Sequence, residues 1–495
     1  MTAGQTKSLA ELGLTAQSGA SAEVTGLAVD SRDVRDGFLF AALPGMRVHG
    51  GEFIQYALRM GAGSILTDTE GARIAADVLA DSQVAVVIAQ DPRQTLAFTA
   101  ALWSGAQPEV MVAITGTNGK TSVASFTRQI WAELGFEAIN LGTTGVEGSF
   151  QAPLAHTTPE PITLHGVLAK AQAAGVSHAA MEASSHGLAQ RRLDGVHLTA
   201  AAFSNFTQDH LDYHADFDEY FDAKAGLFDR VLPEDGVAVI NIDDPRGPDM
   251  ALLAHDRGQD VITVGRDETA DLRLQAQRFE ATGQTMRFSW HEDQHQATLP
   301  LIGGFQGENV LLAAGLAIAS GADARRVFET LPHMTTVRGR MQLAATRENG
   351  AAVFVDYAHT PDAVATAIRA LRPHVLGRLV AIVGAGGDRD ATKRPLMGKA
   401  AAENADIVIV TDDNPRSEDP ATIREAVMQG CPDASNYGDR AEAILRGVDA
   451  LGPGDALLIL GKGHETGQTV GDDVLPFDDV EQASVAVSAL DGGMA

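Results

Sequence analysis

Short, unbroken apolar runs recur along this chain, and nearly every one is closed by a glycine-rich or polar turn and followed by a segment of helical period. A run that is apolar on both faces suits a strand covered by helices on both sides, so the pattern predicts an α/β fold with parallel sheets. The 495 residues leave room for about three domains at roughly 150 residues each. The runs divide accordingly. Residues 1–107 carry Val24 to Val29, Phe38 to Ala42, Ser64 to Thr67 and Val84 to Ala89, and close with a helical segment from Thr95 to Trp103. Residues 108–340 open with the strand Val110 to Ile114 and continue with Val176 to Met181, Leu198 to Phe203, Val237 to Ile240 and Val261 to Val264. A β-rich stretch from Leu272 to Ile302 then precedes a helix from Asn309 to Ser320. Residues 341–495 carry strands at Val353 to Val355, Leu379 to Val383, Ile407 to Val410 and Leu457 to Leu460, as a Rossmann-like block would.

Charge and cysteine usage narrow the function classes. With 37 Lys plus Arg against 65 Asp plus Glu, the net charge of −28 repels phosphate backbones and anionic membrane surfaces, so no nucleic-acid partner is expected. Cys431 is the only cysteine, the first residues lack the layout of a secretory signal, and no apolar run reaches the length of a membrane span. A cytoplasmic monomer acting on small molecules is the expectation.

Immediately after Val110 to Ile114 comes Thr115-Gly116-Thr117-Asn118-Gly119-Lys120-Thr121-Ser122, and then a helical period from Val123 to Leu134. A strand, a glycine-bearing loop, Lys and a hydroxyl, then a helix, is the arrangement that cradles a triphosphate. Backbone amides and the helix N-terminus face the phosphate oxygens, Lys120 offers a point charge, and Thr121 reaches Mg²⁺. Ile114 stands where the strict pattern wants its first glycine, so an ordinary strand-to-helix turn is the competing reading. Gly384-Ala385-Gly386-Gly387-Asp388-Arg389 imitates a dinucleotide loop but has Arg389 at the third glycine position, which argues against NAD.

Gly-Thr-Asn-Gly-Lys-Thr-Ser resembles the loop of the Mur ligases and the related folylpolyglutamate synthetases, ATP-dependent amide-forming enzymes. The likeness extends along the chain in the family's order: Asp30-Ser31-Arg32, Thr157-Thr158-Pro159, Glu182-Ala183-Ser184-Ser185-His186, Asn205 to His214, Lys224 with its neighbours, Arg338-Gly339-Arg340-Met341, Asp356-Tyr357-Ala358-His359-Thr360-Pro361, Asp413-Asn414-Pro415-Arg416 and Gly461-Lys462-Gly463-His464-Glu465. Arg338 and Gln306 stand where the family commonly has Pro and Asn. Arg47-Val48-His49-Gly50-Gly51 differs from the family's version, so no uridine contact is carried over there.

The resemblance implies three domains: one for the uridine nucleotide, a central ATPase domain and a C-terminal domain for the amine. It implies ATP and Mg²⁺, and ATP contacts at Gly116, Thr117, Asn118, Gly119, Lys120, Thr121, Ser122, Asn309, Arg340 and His359, with Asp356 beside them. Thr121 and Glu182 are the implied ligands of one metal. His210 and Lys224, the latter carbamylated by CO₂, are those of a second. A surface lysine paired with Asp222 or Asp229 is the plainer alternative for Lys224, and a zinc-hydrolase helix is the alternative for His210 and His214, although Leu211 stands where its glutamate belongs. Ser31, Thr157, Thr158, Ser184 and Arg192 resemble the family's contacts to a UDP-muramoyl peptide. Arg191 reads as a solvent-facing neighbour.

Arg389, Asp413, Asn414, Arg416, Gly461 and Glu465 all follow strand-like runs and can converge at one sheet edge. A guanidinium suits a carboxylate and Glu465 suits an ammonium. meso-Diaminopimelate carries both groups at its far end and lysine only the ammonium, so Arg416 favours diaminopimelate as the amine added in peptidoglycan precursor synthesis. The lysine-adding ligase, a folylpolyglutamate synthetase and, in another class, a phosphoryl transferase using the same loop are the competing expectations.

Overall fold

A computed structural model describes residues 5–19, 23–45, 47–207 and 216–492. The chain forms two compact units, residues 1–272 with 311–327 and residues 273–310 with 328–495.

In the first unit, Gly26–Ala28, Phe38–Ala41, Ser64–Thr67 and Ala85–Ile88 form a parallel sheet in chain order. Both faces are covered: Leu39, Ala41 and Leu66 pack with Leu96 and Ala100 on one side, while Phe40 and Ile65 meet Ile54 and Ala57 on the other. The expected strand Val24 to Val29 splits at Thr25. Its amide and hydroxyl are drawn to the carbonyls of Gly37 (3.0 Å) and Asp36 (2.6 Å), so Glu23–Val24 pairs instead with Lys7–Ser8.

The larger sheet of this unit runs in the order Asp260–Gly265, Val237–Asn241, Ala200–Phe203, Val110–Thr115, His178–Glu182, Ala138–Gly142, all parallel, with Gly145–Gly148 antiparallel at the edge. The chain builds to one side of Val110–Thr115 and then crosses to the other at Ala200–Phe203. Strand order therefore reverses beside Val110–Thr115, and its carboxyl end opens on the crevice where such sheets bind ligands.

In the second unit, Leu272–Glu280 lies beside Gly283–Trp290, which pairs antiparallel with Asp293–Leu299. A six-stranded sheet follows in the order Gln342–Thr346, Ala352–Asp356, Ala456–Leu460, Leu379–Val383, Ile407–Val410, Ser435–Asn436, parallel except for the first pair. Successive residues of each strand feed opposite cores, Phe354, Ala381 and Leu458 on one face and Val353, Ile382 and Ile459 on the other.

The acidic surplus has a local use. Asp68, Asp91, Asp216, Asp419, Asp439 and Asp478 each accept a backbone amide at a helix N-terminus, where a carboxylate also meets the positive end of the helix dipole. Among the described residues no helix is long and apolar enough to cross a membrane.

Candidate active site

The phosphate loop closes strand Val110–Thr115 and feeds helix Lys120–Glu133. Gly116 (φ +145°) and Gly119 (φ +86°) take backbone angles that side chains rarely adopt, so both turns of the loop depend on glycine. The segment after Ala200–Phe203 braces it. The Thr117 amide donates to the Asn205 carbonyl (2.8 Å), the Asn118 amide to Asn205 Oδ1 (2.9 Å), and Ser204 Oγ to the Asn118 carbonyl (2.6 Å). Lys120 Nζ curls back to donate to the carbonyls of Gly116 and Thr117, both at 2.8 Å. The ammonium is thereby held at the mouth of the loop.

Glu182 ends strand His178–Glu182 and organises its surroundings. Its Oε1 accepts the Thr143 amide (2.9 Å), and Thr143 Oγ1 lies 3.1 Å from Thr157 Oγ1. A Cβ built on Gly142 would stand 1.9 Å from Glu182 Oε1, so only glycine there leaves the carboxylate in place. Thr158 Oγ1 donates to the Glu182 carbonyl (2.9 Å) and accepts the Ser184 amide (3.0 Å), while Arg192 donates to the Thr158 carbonyl (2.5 Å) and to Gln190 Oε1 (2.7 Å). Thr157, Thr158, Ser184 and Arg192 thus meet in one network with Glu182. The Thr158 hydroxyl is spent inside it, and Ser184 Oγ caps helix Ser185–Ala189 by accepting the Gly187 amide (3.1 Å).

Lys224 lies on helix Phe217–Gly226 and is only 1% exposed. Its Nζ donates to the Gly116 carbonyl (2.8 Å) and sits 4.4 Å from the centre of the Tyr220 ring. It is therefore a buried group facing the phosphate loop and not a surface lysine. His210 and His214 lie outside the described residues. Among the described residues no three His, Cys, Asp or Glu side chains cluster as a metal cage. A Mg²⁺ held largely by phosphate oxygens needs none, and the hydroxyl of Thr121 with the carboxylate of Glu182 supplies the hard oxygen donors that such an ion takes.

Ser31, between the first two strands of the four-stranded sheet, is buried in a single turn opened by Asp30, whose carboxylate accepts the Arg32 amide (2.9 Å). Hydrogen bonds from Arg32 hold the Asp30 carboxyl down at about 2. Arg191, expected in solvent, pairs with Asp91 (2.9 Å).

In the second unit, Asn309 is buried and donates to Gln306 Oε1 (3.0 Å). Asp356 accepts the amides of Met341 and Ala358, both at 2.8 Å, while burial pushes its carboxyl up. Tyr357 gathers the neighbourhood: the Arg340 guanidinium lies 5.2 Å from its ring centre, the His359 ring 4.7 Å and the His464 ring 5.0 Å.

The amine-side candidates converge at the carboxyl ends of strands Leu379–Val383, Ile407–Val410 and Ala456–Leu460. Gly461 (φ +113°) is needed because a Cβ there would lie 2.4 Å from Asp413 Oδ2. Asn414 Nδ2 donates to Glu465 Oε2 (2.8 Å). Arg416, at φ +51°, is tied to the hairpin Gly467–Val470 and Asp473–Pro476: its amide donates to the Thr469 carbonyl (3.1 Å) and its own carbonyl accepts the Gly471 amide (2.8 Å). Its Nη1 donates to the Gly387 carbonyl (2.8 Å), and no loop ion pair engages the guanidinium among the described residues. Arg389 is exposed on the neighbouring loop.

Sequence reasoning missed the frame beneath these loops. Arg440 and Asp479 are both 0% exposed and form a bidentate pair at 2.7 Å, and Arg440 also donates to the carbonyls of Asp412 (3.2 Å) and Leu460 (3.0 Å). One guanidinium thus pins the ends of the two strands that deliver Asp413 and Gly461. Removing one partner of such a pair costs of order 3–5 kcal/mol. Lys462, inside the motif Gly461-Lys462-Gly463-His464-Glu465, likewise carries no role that its local sequence reveals.

Comparison with known proteins identifies the family. The Mur ligase family catalytic domain matches residues 23–104, the Mur ligase middle domain 114–317, and the Mur ligase glutamate ligase domain 339–463. The chain belongs to the Mur ligase family. It is 48% identical over 470 residues to the UDP-N-acetylmuramoyl-L-alanyl-D-glutamate--2,6-diaminopimelate ligase of Brucella melitensis biotype 1, covering 94% of each chain. It is 46% identical to the ligase of the same name from Caulobacter vibrioides, covering 94% of this chain and 96% of that one. A solved structure bearing that ligase's name superposes with a TM-score of 0.76 at 32% identity, covering 98% of this chain and 99% of the other.

Proposed function

We propose that this chain is an ATP-dependent ligase that joins meso-diaminopimelate to UDP-N-acetylmuramoyl-L-alanyl-D-glutamate in peptidoglycan precursor synthesis, as a cytoplasmic monomer. The observation that carries the reading is the convergence of Arg416, Asp413, Asn414 and Glu465 at one sheet edge, in a chain whose other unit carries the phosphate loop. An amide does not form from a carboxylate and an amine in water without activation. Here an acceptor carboxylate oxygen attacks the γ-phosphorus of ATP and ADP leaves, giving an acyl phosphate. The amine lone pair then attacks the acyl carbon, phosphate leaves, and the nitrogen loses a proton.

The loop amides from Gly116 to Ser122 and Lys120 hold the phosphates, and Asn309, Arg340 and His359 are proposed as further nucleotide contacts, with Arg340 following charge on the transferring group. Mg²⁺, when bound, neutralises phosphate charge; Thr121 and Glu182 are the proposed ligands of one ion, and His210 and a carbamylated Lys224 those of a second. Thr157, Ser184 and Arg192 face the muramoyl peptide, with Thr158 bracing them, and Ser31 serves the uridine end. Arg389, Arg416 and Gly461 take the distal carboxylate side of the amine, and Glu465 with Asp413 and Asn414 the ammonium side.

Arg416 supplies the test. Its loss leaves the distal carboxylate desolvated and unpaired, a penalty on the order of 2 to 5 kcal/mol. Arg416→Ala should therefore lower kcat/KM for meso-diaminopimelate by about thirtyfold or more while barely changing any residual use of lysine. Equal losses for the two amines would make Arg416 structural and remove the main support for this substrate.

A further inference from the structure

Lys462 follows strand Ala456–Leu460 by two residues and its side chain is 0% exposed. Its Nζ lies 3.3 Å from Asn414 Oδ1 and 3.3 Å from Glu465 Oε2, and it donates to the Gly467 carbonyl. Those contacts decide how Asn414 is turned. With Oδ1 accepting from Lys462 and from the Thr469 amide (2.8 Å), the Asn414 NH₂ is left to donate to Glu465 Oε2. Oε2 is engaged twice. The other carboxylate oxygen, on a side chain 34% exposed, takes no hydrogen bond among the described residues.

We propose that Lys462 is a positioning and specificity-determining residue for the amine: it fixes the one oxygen of Glu465 that meets the substrate ammonium, and it makes the pocket reject an amine that brings only a positive charge. The inference rests on the amine-adding reading above. Lys462 neutralises Glu465 before any amine arrives, because a buried charge is tolerated only when paired. A bare ammonium placed at Glu465 then meets a carboxylate already paired with Lys462, and it leaves the Arg416 guanidinium without a carboxylate. An ammonium sharing its carbon with a carboxylate brings its own counter-charge, and Arg416 receives that carboxylate. Discrimination between a zwitterionic end and a plain amine thus has two sources, the Arg416 contact and the charge of Lys462 behind Glu465.

Lys462→Met removes charge and donor, and Lys462→Gln removes the charge but keeps a donor for Asn414. For Lys462→Met, KM for meso-diaminopimelate should rise about tenfold or more with kcat changed less than about threefold, and KM for ATP and for the UDP-muramoyl dipeptide should stay within about twofold. The ratio of kcat/KM for diaminopimelate over lysine should fall about tenfold in both variants, with the smaller rise in KM for Lys462→Gln. If Lys462→Met fails to fold, Lys462→Gln alone decides. A selectivity ratio equal to wild type in the folded variants, or a parallel rise of all three KM values, would overturn the proposal. A wild-type enzyme that adds no diaminopimelate would instead overturn the substrate reading beneath it.

Discussion

Lys120→Ala is expected to lower ligase turnover by about a thousandfold or more, the largest single effect in the molecule. The structure places Nζ at the carbonyls of Gly116 and Thr117, with the buried Lys224 also reaching the Gly116 carbonyl. Ser204 and Asn205 brace the loop from the next strand, so its shape does not rest on the two Lys120 bonds alone. The variant should therefore fold with an unchanged melting temperature and fail in phosphate release. Near-normal phosphate release with both acceptor and amine present would refute the phosphate-loop assignment.

Lys224→Ala should cost about a hundredfold or more in turnover while ADP affinity stays within about threefold. Lys224 does not stand in the loop's backbone cradle; it approaches from helix Phe217–Gly226, where it donates to the Gly116 carbonyl and lies over the Tyr220 ring. Its proposed chemistry needs CO₂: the uncharged amine forms an N–C bond to the carbon of CO₂ and releases a proton, giving an oxygen-bearing anion suited to a hard cation. Wild-type turnover should accordingly drop in CO₂-depleted buffer and recover with bicarbonate, while Lys224→Ala responds to neither. Full activity of Lys224→Ala would end any catalytic part for the residue, and a wild type indifferent to CO₂ would count against reversible carbamylation.

The sequence was most legible where strands are buried on both faces. Ser64–Thr67, Leu379–Val383 and Ile407–Val410 have the expected limits because every residue of such a strand must be apolar or small, which writes the strand as a continuous run. The hairpin Gly467–Val470 with Asp473–Pro476 left no such trace. Its Val474 and Leu475 are exposed and its pairing lies in backbone hydrogen bonds, yet it anchors Arg416. The same contrast holds in the site. Lys120 and Glu182 announce themselves because one opens a helix and the other closes a strand within a short motif, and Glu465 because it stands in a motif that follows a strand. Arg440 and Asp479 are 39 positions apart, and nothing in either local sequence says that the two helix N-termini bring them together. Arg191 misled for the same reason, its partner Asp91 being 100 residues away. Asn205 was quoted in a motif without a part to play, since bracing the phosphate loop is visible only once the two strands lie side by side.

The central claim is the identity of the bond that is made. Full-length protein, ATP, Mg²⁺ and the UDP-muramoyl dipeptide should be incubated with a panel of amines comprising meso-diaminopimelate, lysine, glutamate and D-alanyl-D-alanine, and the products weighed by mass spectrometry. The account predicts one dominant product, the dipeptide enlarged by diaminopimelate less one water, formed in step with ADP. A dominant lysine or glutamate adduct, or ADP formed in the absence of any amine with no new amide, would contradict it.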